Sequence, residues 1–159
     1  MRVLSNVTTE DFDPFLMLDA FDSTHHEEYE KGFPWHPHRG IETVTYLIEG
    51  EMTHGDSLGN EGLIKSGEYQ WMTAGNGIIH QEYPQPTKRM LGSQLWINLP
   101  QKYKMVEPNY HAITATNIPV IEEKGSIVRV LAGNYEHVKA PLTGQYVETT
   151  YLDVTLDKK

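Results

Sequence analysis

Residues 32–50 read GFPWHPHRGIETVTYLIEG, and this stretch governs the interpretation of the fold. His36 and His38 flank Pro37, and β-branched and aromatic residues fill the run that follows. Proline fixes its own φ and keeps the residue before it out of the helical region, so the chain around the two histidines is extended. Side chains of an extended chain alternate between two faces, which predicts that His36 and His38 emerge on the same face.

A second polar pair, His80 and Glu82, lies in the run IIHQEY at residues 78–83. Its β-branched and aromatic content favours a strand, in which His80 and Glu82 share a face, whereas a helix would separate them. Glu42 is a rival for the carboxylate role, because it has the strand parity of the first histidine pair if the chain does not bulge after that pair. From the residues alone, both glutamates remain candidates.

These side chains form a set typical of a metal centre, in which two facing pairs enclose one ion. A His-x-His pair that stands alone is solvated or packed in a core about as often as it binds a metal ion. A second same-face pair on another predicted strand favours metal binding. Three imidazoles and one carboxylate leave two positions open on a six-coordinate ion, which is what an Fe(II) oxygenase needs for substrate and dioxygen. The sequence therefore favours Fe(II). Copper, nickel, manganese and zinc remain open, since intrinsic affinities favour copper and nickel over iron.

The composition is that of a globular chain of 159 residues, with 38% apolar residues, three Trp, nine Tyr and no Cys. This length fits one domain with a substantial core. The lack of cysteine excludes disulfides, thiolate catalysis and iron–sulfur ligation. A formal net charge of -9 argues against direct binding to nucleic acid or to an anionic membrane. Residues 1–15 lack the features of a signal peptide, so a cytoplasmic location is expected.

Short alternating or apolar runs separated by glycine-bearing turns predict an all-β sandwich or barrel. The predicted strands are residues 42–48, 62–64, 69–73, 78–83, 91–99, 127–131 and 146–156. We expect the apolar segment 13–21 to pack against the sheet and residues 100–119 to form loops.

The remaining histidines have a plainer interpretation. His25 and His26 stand beside two glutamates in a polar loop, and we expect them on the solvated surface. The same is expected of the isolated histidines His54, His111 and His137. Several large side chains are candidates for lining a pocket for an aromatic substrate, although core packing is the expected role for at least half of them: Phe33, Trp35, Trp71 and Met72.

The chain resembles the pirin family of cupins over nearly its whole length. The stretches that carry the resemblance are residues 12–19, 32–46, 70–82, 94–99 and 104–108. The resemblance implies an all-β cupin fold, which is a double-stranded β-helix or jelly-roll barrel, with iron in the N-terminal barrel of two. It also implies metal ligands at His36, His38, His80 and Glu82, and so selects Glu82 over Glu42.

Pirins carry a second cupin domain, which implies a division of this chain. We expect residues 1–140 to form a single N-terminal cupin barrel, and residues 141–159 to form an extra C-terminal strand that corresponds to the start of the second domain. A first barrel without its neighbour exposes apolar surface and sheet edges. We therefore expect a homodimer, with the C-terminal strand pairing across chains as one route to it.

The resemblance implies two functions. The first is an Fe(II)-dependent dioxygenase of quercetinase type that cleaves a flavonol-like aromatic substrate, with Glu82 as ligand and general base. The second is a non-enzymatic, iron-dependent redox-sensing regulator that binds protein partners. A metal that only stabilises the fold is a third interpretation. We favour the dioxygenase, because open coordination positions are costly to keep unless something binds there.

Overall fold

A computed structural model describes residues 1–157 and shows a chain built mainly of strands. A short helix, α1 (Thr9–Phe12), and 3-10 turns at His26–Glu28, Gln101–Tyr103 and Ala115–Asn117 interrupt them. No helix within residues 1–157 is long and apolar enough to cross a membrane. The strands are β1 (Arg2–Leu4), β2 (Phe15–Ser23), β3 (Phe33–His38), β4 (Ile41–Glu49), β5 (Glu51–Asp56), β6 (Glu61–Lys65), β7 (Tyr69–Thr73), β8 (Ile78–Pro84), β9 (Met90–Asn98), β10 (Asn109–Ile113), β11 (Val120–Glu123), β12 (Ser126–Ala132), β13 (Asn134–Tyr135), β14 (Val138–Lys139) and β15 (Tyr151–Leu156).

The chain divides into two compact units, Met1–Ala112 and one that begins at Ile113. The first unit contains a larger sheet, with strand order β1-β2-β9-β4-β7-β10, and a smaller sheet, with order β3-β8-β5-β6. Their inner faces share an apolar core of Leu47, Met52, Ile64 and Met90, with two residues from each sheet. Many neighbouring strands are distant in sequence, as in a jelly roll. The all-β prediction is confirmed.

The second unit contains a sheet with the order β11-β12-β15 and a small β13-β14 ribbon. Val128, Val130 and Ala140 form its core. The predicted strand at 127–131 is observed as β12, and the one predicted at 146–156 begins only at Tyr151. The predicted domain boundary after residue 140 concerns a second cupin domain and stays a prediction. Lys158 and Lys159, at the end of that segment, lie outside the described residues.

Several segments form strands that the sequence did not predict. The segment 13–21 does more than pack against a sheet, because β2 pairs with β9 along its length, from Phe15 opposite Ile97 to Ser23 opposite Met90. Residues 109–113, expected in a loop, form β10 at the edge of the larger sheet. Tertiary pairing overrides the weak local preference of both segments.

The sheet register brings polar side chains into rows inside the first unit. In the smaller sheet β8 lies between β3 and β5, so that His80 is opposite His36 on one side and Glu82 is opposite His54 on the other. In the larger sheet β4 lies between β7 and β9, which places Thr45 between two glutamines, Gln70 and Gln94.

Candidate metal centre

Three histidines from β3 and β8 form a compact cluster inside the first unit. One donor atom from each of His36, His38 and His80 can be chosen so that all lie within 4.8 Å of one another. The ring centroids are 4.4 Å apart for His36 and His80, 4.8 Å for His36 and His38, and 4.9 Å for His38 and His80. Both extended segments are therefore as predicted, and the register of β3 on β8 joins the pairs.

The environment keeps the imidazoles of His38 and His80 neutral. His80 is 1% exposed and His38 is 8% exposed. Burial, followed by the nearby His36, lowers the pKa of His38 to about 4, and the same causes lower the pKa of His80 to about 3. An imidazole binds a metal ion only through an unprotonated nitrogen. At neutral pH both side chains consequently offer a lone pair.

The hydrogen bonds of the cluster fit a metal ion. The Nδ1 of His36 lies 2.7 Å from the carbonyl oxygen of Pro34. Since a carbonyl oxygen only accepts, Nδ1 carries the proton and leaves Nε2 free to coordinate. Neither ring nitrogen of the buried His80 has a hydrogen-bond partner among the described residues. Buried polar atoms without partners are rare, and a coordinated cation would satisfy one of these two nitrogens.

Glu82 lies beside the cluster with its carboxylate held by other side chains. The Thr45 hydroxyl donates to Oε1 at 3.0 Å, and the Gln94 amide donates to Oε2 at 2.8 Å. Burial raises the pKa of Glu82, and these two hydrogen bonds oppose that rise. Glu82 is not part of the group whose donor atoms lie within 4.8 Å. The structure thus assembles three histidines, and the predicted roles of Glu82 and of the histidines as ligands stay predictions.

Glu42 occupies a different position from the one its strand parity suggested. β3 ends at His38 and β4 begins at Ile41 in the other sheet, with Gly40 at a φ of +69° between them. The condition of an uninterrupted strand is therefore not met. Glu42 is fully buried, and its Oε1 accepts a hydrogen bond of 2.7 Å from Thr73 Oγ1. It is absent from the histidine group.

His54 corrects one of the surface predictions. It is half-buried on β5, its ring stacks on Tyr110 at 5.8 Å, and the amide nitrogen of Gln70 lies 2.8 Å from its Nε2. Burial lowers its pKa. The signal that could have placed it inside is its parity with Met52 and Asp56, which are both buried.

The other histidines agree only in part with the expected surface positions. His25 and His137 are exposed as predicted. His111 is half-buried, and so is His26, whose ring packs edge-on against Tyr29 at 5.0 Å. Neither His26 nor His111 is therefore the fully solvated side chain that the sequence suggested.

A cavity of about 750 Å³ opens beside the histidine cluster. Its walls include His36, His38, Phe33, Arg39, Gln94 and Trp96. The Trp96 ring meets the His38 ring edge-on at 4.9 Å. This volume lies within the usual range of small-molecule sites, about 300–1,000 Å³. The cavity can therefore hold an aromatic molecule next to the histidine cluster.

The aromatic lining was predicted only in part. Phe33 contributes to the cavity as expected, whereas Trp35 is 54% exposed and is not among its lining residues. Trp71 and Met72 are each 1% exposed and belong to the core. Sequence reasoning missed Gln94 and Trp96, although their alternation along β9 places both side chains on the same face.

The comparison with family models decides the relationship, since the model named Pirin matches residues 1–97. The chain belongs to the pirin family. A pirin-like protein from Caulobacter vibrioides is 48% identical to it, over 98% of this chain and 57% of that protein. This chain thus spans little more than half the length of that relative.

Solved structures show the same relationship. The crystal structure of quercetin 2,3-dioxygenase from Acinetobacter baumannii matches with a TM-score of 0.84 and 38% identity, over 96% of this pirin and 56% of that chain. A bacterial pirin from Escherichia coli in complex with nickel(II) matches with a TM-score of 0.57 and 26% identity, over 75% of this chain and 55% of that one. The predicted cupin fold is confirmed by these matches together with the two facing sheets.

Proposed function

We propose that this pirin chain is an Fe(II)-dependent dioxygenase of quercetinase type, with a flavonol-like aromatic substrate. The observation that carries the proposal is the position of His36 and His38, which belong both to the three-histidine cluster and to the wall of the adjoining cavity. A ligand in this cavity contacts the metal-binding side chains directly. The similarity to the quercetin 2,3-dioxygenase of Acinetobacter baumannii supports the choice of reaction.

The residues that would hold the metal are His36, His38, His80 and Glu82. The chemistry of this donor set fits iron, since imidazole and carboxylate with open positions suit a non-haem Fe(II) oxygenase. Bound iron would supply a Lewis-acid and redox centre for the substrate oxygen and for dioxygen. The nickel(II) complex of the Escherichia coli pirin supports a metal in this family without fixing which one this chain carries.

The side chains around the cluster have separate tasks in this proposal. A carboxylate oxygen of Glu82 takes the proton of the substrate hydroxyl, and burial, which raises the pKa of this group, makes it a stronger proton acceptor. Phe33 and Trp96 offer aromatic surface to a flat ring system. The guanidinium of Arg39, at the wall of the cavity, attracts the resulting anion.

The test combines metal content with turnover. We expect protein purified without added metal to contain iron by mass spectrometry, and the iron-loaded protein to consume oxygen with quercetin. The Glu82→Gln variant tests the proton acceptor. If iron-loaded wild-type protein consumes no oxygen with quercetin while Glu82→Gln binds iron equally well, the dioxygenase proposal fails.

A second candidate is an iron-dependent redox sensor that binds a protein partner. The observation that favours it is the exposure of Phe33 and Trp35, 47% and 54%, on the strand that carries two of the histidines. A change of iron charge inside a low-dielectric cluster acts strongly on the neighbouring chain. Capture of a partner that is indifferent to iron and to its oxidation state would remove this candidate.

We also propose that the chain forms a homodimer. Val154 and Leu156 on β15 are exposed, and β15 pairs with β12 alone among the described strands. A strand with one unpaired edge can pair with another chain. Light scattering at micromolar concentration checks this proposal, and a monodisperse monomer would contradict it.

A further inference from the structure

Two rows of polar side chains face each other across the interior of the first unit. In the larger sheet, Gln94, Thr45 and Gln70 are neighbours on β9, β4 and β7. In the smaller sheet, Glu82 and His54 are neighbours on β8 and β5. Gln94 and Thr45 reach Glu82, whereas Gln70 reaches His54. The rows therefore divide into two halves. In the first half, Gln94 and Thr45 bond to Glu82, and in the second half Gln70 contacts His54.

The indole of Trp96 fixes the direction of every hydrogen bond in the first half. Its Nε1–H donates to Gln94 Oε1 at 3.2 Å, and an indole nitrogen can only donate. The amide of Gln94 must consequently turn its NH₂ group towards Glu82 and Thr45, to which it donates at 2.8 Å and 3.1 Å.

The direction continues through the threonine. Because Thr45 Oγ1 accepts from Gln94, its single proton is directed to Glu82 Oε1, 3.0 Å away. One neutral donor thus meets each carboxylate oxygen, and one lone pair on each oxygen remains available to a metal ion or a proton. A carboxylate held at both oxygens cannot rotate without breaking at least one of these bonds.

We propose that Gln94 and Thr45 are positioning residues that hold the Glu82 carboxylate beside the three-histidine cluster, with the Trp96 indole setting their hydrogen-bond direction. This inference rests on the proposed function, since it assumes that Glu82 serves the metal. Trp96 also packs against His38 and lines the cavity, so one side chain links the cavity wall, a histidine of the cluster and the orientation of Glu82. Partners that orient metal ligands in this way typically contribute about 10- to 100-fold to metal affinity.

The experiment titrates the metal-free chain with Co(II), whose visible absorption reports the ligand set, and measures the dissociation constant. The variants are Thr45→Val, which removes the hydroxyl at nearly constant shape, and Gln94→Met, which removes the amide. We expect each to weaken Co(II) binding roughly tenfold and to change the spectrum. Thr45→Ser, which keeps the hydroxyl, should restore both towards wild type.

The matched control is Gln70→Met, because Gln70 flanks Thr45 on the opposite side and points to His54. We expect it to leave the Co(II) affinity and spectrum unchanged. The decisive comparison repeats Thr45→Val in a Glu82→Gln background, where it should have little further effect on Co(II) affinity. Melting of each metal-free variant verifies that it folds.

The outcomes separate the two proposals. If Thr45→Val weakens Co(II) binding as much in the Glu82→Gln background as alone, or if Gln70→Met acts like Gln94→Met, the positioning role is wrong while the metal site stands. An unchanged spectrum and affinity in folded Gln94→Met protein would also overturn it. If wild-type protein binds no Co(II) at all, the metal-dependent function itself fails.

Discussion

The two buried glutamates of the first unit make an instructive contrast. Glu42 and Glu82 are almost completely buried, and burial raises the pKa of both. Glu42 extends from the larger sheet and bonds to Thr73. Glu82 extends from the smaller sheet, on the strand that also carries His80, and is held at both oxygens. Burial and a raised pKa are common to both glutamates, so only their neighbours distinguish the carboxylate that we propose to be functional.

The largest expected effect is the loss of a histidine from the cluster. His80→Ala removes a buried imidazole whose two ring nitrogens have no partner in the described protein. We expect metal affinity to fall at least about 100-fold, because a ligand contributes more than the partners that orient it. Titration with Co(II) measures the change, and His25→Ala, at an exposed histidine, is the control. Unchanged affinity in His80→Ala would remove the cluster from metal binding.

The next test exchanges each glutamate for its neutral isostere. Glu82→Gln should lower metal affinity at least about tenfold and slow flavonol turnover. Glu42→Gln should leave metal affinity unchanged, because Glu42 extends from the larger sheet and bonds to Thr73, whereas Glu82 lies on the same strand as His80. Parallel titrations of the two folded variants provide the measurement. Equal losses in both variants would abolish the contrast between the two carboxylates.

Part of this contrast could be predicted from the sequence. Pro37 was sufficient to keep the first histidine pair extended, and the content of 78–83 was sufficient to predict β8. The approach of the two pairs depends on the register of His36 opposite His80, which is a tertiary fact. The choice of Glu82 came from the resemblance to pirins, because parity alone left Glu42 equally eligible.

Sequence reasoning missed the half-buried positions of His54 and Gln94 for the same physical reason. Each contacts a residue of the other sheet: His54 contacts Gln70, and Gln94 contacts Glu82. Periodicity along one strand predicts which side chains share a face, but it does not predict which face of another sheet lies opposite. The turn at Gly40 illustrates the same limit, since a single residue at positive φ transfers the chain from one sheet to the other.

A smaller effect is expected at the far end of the polar rows. A Cβ placed on Gly62 would collide with His54 Nε2, the ring atom nearest to it. Gly62→Ala should therefore displace the imidazole and lower the free energy of unfolding by on the order of 1 kcal/mol. Urea denaturation measures this loss. Gly55→Ala is the matched control, because Gly55 also lies in a strand without a positive φ and its methyl group would come no closer than 3.6 Å to another atom.

The smallest expected effect is the pH dependence of the metal-free protein. The folded-state pKa values of about 4 for His38 and about 3 for His80 lie below 6.5, the value of an ordinary histidine. Between those values the unfolded chain binds more protons than the folded chain, so the histidines' contribution to stability is complete above about pH 6.5 and is lost as the pH falls towards 4.

The glutamates act in the opposite sense. Burial raises the pKa of Glu42, so its contribution is complete below the unfolded value of 4.5 and is lost as the pH rises through the folded value. Urea denaturation of chelator-treated protein between about pH 7 and pH 5 measures the slope of stability with pH, to which the histidines contribute a positive part and the glutamates a negative part. His38→Gln should make the slope less positive and Glu42→Gln should make it more positive, because each substitution removes one of the opposing titrations. The same slope in all three proteins would mean that neither buried group controls stability in this range.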